Sequence, residues 1–248
     1  MILPKMILFD YGHTLLCEPE SDLLRGNNAV FQYVTSNKNG LTSKQVSDFS
    51  QQLFTIIGAA RDADLELHEW QFQRFLYEYL EIELSVSLAE AEKVFWDATS
   101  HGSIMPNADK MLDYINASGI RSGVISNIGF SGAALSERIN RLLPRNKFEF
   151  IIASSEYMFR KPHPMLFGLA LKKAGLPAGD VWFCGDNIEA DIEGATAVGM
   201  FPVWYENKTM DNPWPNKYKR EYPYGPSCEH LHIHDWLELI DALESKAL

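Results

Sequence analysis

Two acidic residues follow short apolar runs that lie far apart in the sequence. The run Met6–Phe9 leads into Asp10, and the run Val181–Gly185 leads into Asp186, with Asp191 five residues further on. Short apolar runs are typical of strands buried on both faces, and parallel strands bring their carboxyl ends to one edge of a sheet. The two carboxylates are therefore expected in one crevice, where they would supply a nucleophile and bind a hard cation.

The segment that follows the first of these acids lacks a second one. Asp10 is followed by Tyr11, Gly12, His13 and Thr14, so position 12 carries no carboxyl group. Its absence limits how far a catalytic function can be predicted.

Composition argues against a nucleic-acid partner. The 248 residues carry a net charge of −11, whereas binding to nucleic acid needs a basic face. A small anionic substrate remains compatible with this charge, because exposed charges are largely screened beyond roughly 10 Å at ordinary salt. The hydrophobic content of 46% and the charged content of 22% are ordinary for a globular protein.

Cysteine usage and apolar runs bear on the compartment. The three isolated cysteines, Cys17, Cys184 and Cys228, favour a reducing compartment over a disulfide framework, and Cys184 is expected to be a core residue. No stretch approaches the roughly 18 apolar residues of a membrane helix, and no signal peptide is recognisable. We expect a cytoplasmic protein without a membrane partner, as a monomer or a homodimer.

The pattern of predicted helices and strands along the sequence indicates two structural units. From about residue 20 to 100 the pattern is helical throughout, with two capping boxes, Thr42–Gln45 and Ser87–Glu90. Apolar and aromatic stripes, which include Ile56 and Tyr79, are expected to face the inside of a small helical bundle. From residue 107 helices alternate with strands, which predicts a doubly wound parallel sheet that the strand at 6–10 must join. The predicted strands are 121–126, 148–153, 180–184 and 201–204, and the predicted helices are 107–118, 131–143, 164–174 and 188–198. The helical block is then an insertion, so we expect a core of residues 1–16 and 105–248 and an inserted unit of residues 17–104.

The last fifth of the sequence carries two further features. Residues 205–228 are rich in proline and aromatic residues and are expected to form a surface excursion. His230, His232 and His234 alternate along a predicted strand at 230–234, which precedes a final helix. No matching ligand elsewhere is recognisable, so the sequence does not predict a metal site there.

The ordered motifs resemble the haloacid dehalogenase-like hydrolase superfamily, with the helical insert expected of its type 1 cap. The likeness extends over essentially the whole chain and implies a Rossmann-like α/β core. The residues that carry it are Asp10 with Thr14, Ser126 before Asn127, Lys161 in the run Arg-Lys-Pro-His-Pro, and Gly185–Asp186 with Asp191. Four motifs in this order are far more specific than any one of them.

The resemblance implies roles for these residues. Asp10 is the implied nucleophile, and attack on a phosphoryl group gives an aspartyl-phosphate that water hydrolyses. Mg²⁺ is the implied cofactor, held by Asp10, the Gly12 carbonyl and Asp186, with Asp191 holding a coordinated water or steadying Lys161. The resemblance also implies that Ser126 and the Asn127 amide donate hydrogen bonds to the phosphoryl oxygens. It implies that Lys161 supplies a fixed positive charge and that Thr14 supports the loop after Asp10. The implied partner is a small phosphorylated substrate.

The glycine at position 12 departs from the pattern, because phosphatases of this superfamily typically carry a second Asp there. Three explanations stay open: a substrate with a good leaving group, His13 as a substitute acid, or a catalytically weak protein that binds a phosphate ligand.

Phosphonoacetaldehyde hydrolases also lack this Asp, but they need a cap lysine. The insert offers only Lys38, Lys44 and Lys93. Haloacid dehalogenases use no metal, so the retained Gly-Asp argues against them.

Overall fold

The chain forms one buried strand and then a long, mostly helical stretch. The structure, a computed structural model, describes residues 3–209 and 221–247. Its elements up to residue 104 are β1 (Met6–Phe9), β2 (Leu16–Cys17), α1 (Leu23–Phe31), β3 (Val34–Asn37), α2 (Ser43–Asp62), α3 (Glu69–Tyr79), β4 (Ile82–Leu84), α4 (Leu88–Thr99) and β5 (Ser103–Ile104).

From residue 108 helices and strands alternate. The elements are α5 (Ala108–Ala117), β6 (Arg121–Ser126), α6 (Gly132–Leu142), β7 (Ile151–Ala153), α7 (Pro164–Ala174), β8 (Val181–Gly185), α8 (Gly194–Ala197), β9 (Phe201–Tyr205), β10 (Leu231–Ile233) and α9 (Trp236–Ala247). A π-helical turn, Ile188–Glu193, leads into α8.

The main sheet has six parallel strands in the order β10-β9-β8-β1-β6-β7. Strand β1 is central, and its alternate side chains enter two different core clusters. Ile7 and Phe9 pack with residues of α5, α6 and α9, whereas Met6 and Leu8 pack with residues of α7 and α8. Helices therefore cover both faces, which confirms the predicted doubly wound α/β fold. The order also makes β1 and β8 neighbours, so the residues that follow them lie close together.

Helices α1–α4 pack around a small core of their own. Both predicted capping boxes are present, Thr42 with Gln45 at the start of α2 and Ser87 with Glu90 at the start of α4. The antiparallel pair β2–β5 lies where the chain leaves the main sheet and returns to it. The buried apolar residues of this small core are Val30, Val46, Leu76, Tyr77, Ile82 and Ala91.

The prediction of an entirely helical stretch from 20 to 100 is wrong in one place. Strands β3 and β4 form a two-stranded antiparallel sheet, with a register shift between Val34 and Ser36. Val34 and Thr35 are β-branched and favour extended backbone, which interrupts the helical pattern. This small sheet joins the end of α1 to the segment between α3 and α4.

The aromatic and apolar stripes are only partly buried. Ile56 is 75% exposed and Tyr79 is 63% exposed, so the prediction that they face the inside of the bundle is wrong. Instead, Tyr79 stacks on the rings of Phe49 and Phe75, with centroid distances of 5.3 and 5.4 Å. Mutual stacking lets aromatic rings bury area against each other at the surface, without reaching the core.

The ends of two predicted elements differ from the structure. The predicted strand 148–153 is reduced to β7, although the N–H of Glu149 still donates to the carbonyl of Ser122. The predicted helix 188–198 begins as the π-helical turn, whose first main-chain groups are capped by the Asn187 side chain. Within the predicted excursion 205–228, residues 210–220 lie outside the described residues; the predicted strand near 230–234 is present as β10.

The described helices and the cysteines bear on two of the sequence predictions. In residues 3–209 and 221–247, none of the helices combines the length and apolar character needed to cross a bilayer. All three cysteines are free thiols, and Cys184 is buried in the core as predicted.

Two buried carboxylates of the helical unit contact loops at the carboxyl edge of the main sheet. Glu92 accepts hydrogen bonds from the N–H and hydroxyl of Ser131, at 2.5 and 2.6 Å, and from the Trp70 indole at 2.9 Å. Glu66 accepts a hydrogen bond from the Ser154 hydroxyl at 3.0 Å and pairs with Arg160. We call these contacts the carboxylate seam; they fix the helical unit over the edge where β6 and β7 end.

A third carboxyl group beside the seam predicts a pH-dependent stability. Burial raises the pKa of Glu69 to about 7, against the opposing hydrogen bond from Gln73. The folded state therefore binds this proton more tightly than the unfolded state, and stability falls as pH rises from about 4.5 to 7. Glu69→Gln is expected to remove this loss and gain on the order of 2 kcal/mol relative to wild type between pH 5 and pH 8. Urea unfolding at both pH values measures it.

The matched control is Glu83→Gln, which neutralises an exposed carboxyl group on β4. Its unfolding free energy should follow the wild-type pH profile. Equal pH slopes for Glu69→Gln and wild type would contradict the prediction.

Candidate active site

The acids that end β1 and β8 meet at the carboxyl edge of the sheet. The N–H of Asp10 donates to the carbonyl of Cys184 at 2.9 Å, which ties the end of β1 to β8. Carboxylate oxygens of Asp10, Asp186 and Asp191 lie within 4.8 Å of one another. The structure thus brings together residues that are 176 and 181 positions apart in the sequence.

The ammonium group of Lys161 lies between two of these carboxylates. Its Nζ is 2.6 Å from an oxygen of Asp10 and 2.6 Å from an oxygen of Asp191. Burial by itself would lower the pKa of Lys161, but the two carboxylates outweigh it and hold the pKa above its usual value. The side chain is almost completely buried, so Lys161 is a fixed positive charge.

Asp191, one of the two carboxylates beside Lys161, is also buried, and burial shifts its pKa. Burial raises the pKa of Asp191 above its ordinary value, although Lys161 opposes the shift. One oxygen of Asp191 faces Lys161 and the other accepts the N–H of Asn187 at 3.0 Å. Asp191 thus contacts Lys161, as one of the two roles open for it requires.

Main-chain hydrogen bonds position Lys161. The side-chain amide of Asn127 donates to the Lys161 carbonyl at 2.8 Å and accepts the Lys161 N–H at 2.7 Å. The Lys161 ammonium also lies 5.0 Å from the centre of the Phe183 ring. Asn127 follows β6, so two neighbouring loops at the sheet edge are held together at the point where Lys161 emerges.

The glycine of the Gly-Asp motif has a steric role. A Cβ atom at Gly185 would stand 2.3 Å from the carboxylate of Asp191. Only glycine therefore lets the π-helical turn bring Asp191 against the end of β8. Two other contacts hold Asp186: its carboxylate accepts the Thr14 hydroxyl at 3.4 Å, and its carbonyl accepts the Trp204 indole N–H at 3.3 Å.

A cavity of about 370 Å³ opens onto these groups. The sequence-predicted residues that line it are Asp10, Gly12, His13, Ser126, Asn127, Lys161, Asp186 and Asp191. Thr14 is fully buried behind this set, which agrees with a supporting position.

Two charged residues of the cavity wall were missed from the sequence. Arg160 stands next to Lys161 and pairs with Glu66 across the carboxylate seam. Glu18 follows β2 and accepts hydrogen bonds from the Tyr11 hydroxyl at 2.5 Å and from Arg138 at 2.7 Å. Arg160 was recognisable by its place beside Lys161, whereas no spacing pointed to Glu18.

His13 borders the cavity in an unusual backbone conformation. Its φ of 51° lies in the left-handed region, which is uncommon for a residue with a side chain. Burial lowers the pKa of His13, and the carboxylates of Asp10 and Glu18 oppose this shift. The imidazole is therefore mainly neutral at neutral pH.

The donor set fits a small divalent cation. Asp10, Asp186 and Asp191 offer only oxygen atoms, and oxygen ligands at a rigid sheet edge are what Mg²⁺ prefers. The Gly12 backbone borders the same cavity. These residues are therefore able to hold Mg²⁺ beside Lys161.

A family model described as haloacid dehalogenase-like hydrolase matches residues 66–204, more than half of the chain. The chain belongs to the haloacid dehalogenase-like hydrolase family. This agrees with the resemblance drawn from the ordered motifs.

Curated relatives within this hydrolase family include phosphatases. A glyceraldehyde 3-phosphate phosphatase from Pyrococcus abyssi is 35% identical over 102 residues, which are 41% of this chain and 42% of the relative. A pyrimidine 5'-nucleotidase from Escherichia coli is 30% identical over 139 residues, 55% of this chain and 56% of the relative. The chain thus spans about half the length of the curated relatives it matches.

Solved structures of haloacid dehalogenase-like proteins share the fold over nearly the whole chain. A HAD phosphatase from Thermococcus onnurineus has a TM-score of 0.63 at 19% identity, covering 98% of this chain and 99% of that one. A 2-haloacid dehalogenase from Pseudomonas syringae pv. Tomato has a TM-score of 0.62 at 20% identity, covering 99% of both. Phosphatase and dehalogenase share this fold, so the reaction must be argued from the site.

Proposed function

We propose that this hydrolase is a Mg²⁺-dependent phosphatase that acts on a small phosphorylated metabolite through an aspartyl-phosphate on Asp10. The observation that carries the proposal is the buried Lys161 ammonium, 2.6 Å from both Asp10 and Asp191, with Asp186 beside them. A nucleophilic carboxylate, a fixed cation and an oxygen-only metal site in one cavity suit phosphoryl transfer.

The first chemical step forms a covalent intermediate. An oxygen of Asp10 attacks phosphorus while the bond from phosphorus to the leaving oxygen breaks, and the leaving group departs with the electron pair. When bound by Asp10, Asp186 and the Gly12 carbonyl, Mg²⁺ supplies positive charge that reduces repulsion between the carboxylate and the phosphoryl group. Lys161 adds a second positive charge that is already in position.

The second step restores the enzyme. Water attacks the phosphorus of the aspartyl-phosphate, inorganic phosphate leaves, and the Asp10 carboxylate is regenerated. The Ser126 hydroxyl and the Asn127 main-chain N–H donate to the phosphoryl oxygens in both steps. Thr14 supports Asp186, and Asp191 keeps Lys161 charged and oriented.

The helical unit is proposed as the substrate-selecting cap. We assign it residues 17–104, with residues 1–16 and 105–248 as the catalytic core. The β2–β5 pair at both crossings and the carboxylate seam support this division. The cavity-lining Glu18 and Arg160 lie at the junction of the two units, where the leaving group would emerge.

A phosphonoacetaldehyde hydrolase-like activity receives no support from the insert. Among the described residues, the lysines of the insert pair with acids away from the cavity: Lys38 with Glu81, Lys44 with Asp48, and Lys93 with Glu137. The side chains of these lysines are all at least 46% exposed. A lysine that forms a Schiff base would instead line the cavity.

A catalytically weak phosphate-binding protein is the second candidate, and the glycine at position 12 favours it. One assay separates the two. Purified protein with Mg²⁺ is tested for turnover of acetyl phosphate and of p-nitrophenyl phosphate, both of which have good leaving groups. Turnover of either one that disappears on removal of Mg²⁺ supports the phosphatase; turnover of neither rejects it.

Restoring an acid at position 12 should increase the rate for poor leaving groups. A Cβ atom at Gly12 meets no atom within 4 Å, so an aspartate side chain has room there. Gly12→Asp is expected to raise kcat for an alkyl phosphate such as glycerol phosphate by about 10²-fold, because that alkoxide needs a proton as it leaves. The rate for acetyl phosphate should change little. Steady-state phosphate release measures both.

The control is Gly12→Ala, which adds the Cβ atom without the carboxyl group and should leave both rates near wild type. His13→Ala tests the other proton source: a loss confined to the alkyl phosphate and strongest below neutral pH, where His13 is more protonated, would assign that role to His13. Equal effects of Gly12→Asp on both substrates would show that a missing proton donor is not what limits the rate.

A further inference from the structure

In the folded protein, a carboxylate lies beside the alternating histidines near the end of the chain. Strand β10 pairs in parallel with β9, with His232 opposite Trp204 and Ile233 opposite Tyr205. Glu206, the residue after β9, donates its N–H to the Ile233 carbonyl at 2.8 Å. This register places a carboxylate beside two of the histidines, which was not visible in the sequence.

We propose that Glu206, His232 and His234 form a second metal site, which takes a divalent transition-metal ion such as Zn²⁺. Each residue offers one ligand atom, and the three atoms lie within 4.8 Å of one another. His232 Nε2 is 3.1 Å from the Glu206 carboxylate, and His234 Nδ1 is 3.7 Å from the same oxygen. His232 lies on β10 and His234 directly follows the strand, two positions further on, so extended backbone places both side chains on the same side.

Little rearrangement is needed to bind an ion. Zinc bonds of about 2.1 Å in a tetrahedral site imply ligand atoms about 3.4 Å apart. Closing the observed cluster to that spacing requires shifts of about 1 Å or less. The side chains of Glu206, His232 and His234 are 32%, 35% and 51% exposed, so small rotations meet little resistance.

The surroundings already orient the imidazoles. His234 Nδ1, the nitrogen 3.7 Å from the Glu206 carboxylate, also lies 2.9 Å from the Glu206 carbonyl and donates to it when protonated; a metal ion bound at Nδ1 would replace that proton. The His232 ring stacks on the Trp204 indole, with centroids 4.1 Å apart. Hydrogen bonds and packing that fix the ring of a metal ligand are typical of protein metal sites.

The chemistry of the donors separates this site from the one at Asp10. Two imidazoles and one carboxylate suit Zn²⁺, whereas the all-oxygen set at the sheet edge suits Mg²⁺. Three protein ligands also leave a fourth position for water. None of the three residues borders the cavity at Asp10. The second site therefore does not rest on the proposed phosphatase activity.

A surface lysine competes for the same carboxylate. Lys208 Nζ is 3.2 Å from the Glu206 oxygen that faces the histidines, and its side chain is 70% exposed. Exposed ion pairs of this kind are weak, so an incoming cation displaces the lysine easily. Replacement of Lys208 should therefore leave zinc binding intact or strengthen it.

Calorimetric titration of tag-free protein with Zn²⁺ alone tests the proposal. The background is Asp10→Asn/Asp186→Asn, which removes carboxylates of the other cation site. We expect one ion per chain, and at least about tenfold weaker binding in His232→Ala, His234→Ala and Glu206→Gln.

Two variants serve as matched controls. His230→Ala removes the neighbouring histidine whose Nδ1 is 2.8 Å from the Cys228 carbonyl, and Lys208→Met removes the competing charge. Neither should weaken binding by more than about twofold. A stoichiometry well below one, or an affinity unchanged by both His232→Ala and Glu206→Gln, would overturn the site.

A second measurement does not depend on how the background variant folds. Crystals of wild-type protein soaked in Zn²⁺ are measured on both sides of the zinc absorption edge. An anomalous peak between Glu206, His232 and His234 supports the site. Anomalous peaks only at the Asp10 cluster or at lattice contacts would reject it.

Discussion

Asp10→Asn is expected to lower kcat for acetyl phosphate and p-nitrophenyl phosphate by about 10³-fold or more. The amide keeps the shape of the side chain but lacks the charge that attacks phosphorus, and loss of a covalent nucleophile has effects of this size or larger. The variant should still fold, since Lys161 keeps its contact with Asp191. Steady-state phosphate release with Mg²⁺ measures the loss, and urea unfolding measures the stability.

The nucleophile is also testable directly. Acid-quenched wild-type protein in turnover with acetyl phosphate should carry one phosphoryl group on the peptide that contains Asp10. Asp180→Asn is the matched control, because Asp180 forms a surface pair with Lys5 at 2.7 Å and lies outside the cavity. If Asp10→Asn is as active as Asp180→Asn, the proposed mechanism is wrong.

Lys161→Met is expected to remove activity and to destabilise the fold. The substitution leaves the Asp10 and Asp191 carboxylates facing each other without their shared cation, and an uncompensated buried charge costs about 3–5 kcal/mol. The catalytic rate should fall by about 10²-fold or more, because a fixed positive charge no longer stabilises the phosphoryl group. Urea unfolding and kcat are measured on the same preparation.

A second variant separates stability from catalysis. Lys161→Met/Asp191→Asn removes the buried charge that lost its partner, so it should recover at least half of the lost stability while the activity stays low. Lys172→Met, on the exposed side of α7, controls for the loss of a lysine as such. Recovery of activity together with stability in the double variant would show that Lys161 acts only through folding.

The sheet core was predictable because its signals are local. Strands β1 and β8 are continuous apolar runs, and α7 has proline at its first position and Gly175 in the left-handed conformation at its end. Strands that form only by pairing with a segment far away in the sequence were less predictable. The β3–β4 sheet pairs Val34 with Leu84 and Asn37 with Ile82, which are 50 and 45 positions apart, and such pairing leaves little trace in a local pattern.

The site was predictable where a residue type follows a strand end. Asp10, Ser126 and Asp186 each end or follow a strand, and parallel strands bring those positions together. Glu18 and Glu206 escaped prediction, because each becomes part of a cluster only through the register of a strand pair. The contact between Asp191 and Gly185 was likewise hidden, since it depends on the π-helical turn.

Because of the carboxylate seam, opening of the helical unit requires water to bind the polar groups that the seam pairs. If that unit swings away from the sheet, Glu92 loses its donors on Ser131, and Glu66 loses those on Ser154 and Arg160. Water must fill these bonds, because unpaired polar groups are costly. The open form therefore binds more water than the closed form. Osmolytes that are excluded from the protein surface, such as sucrose, should shift the population towards the closed form and slow the exchange of bulky substrates.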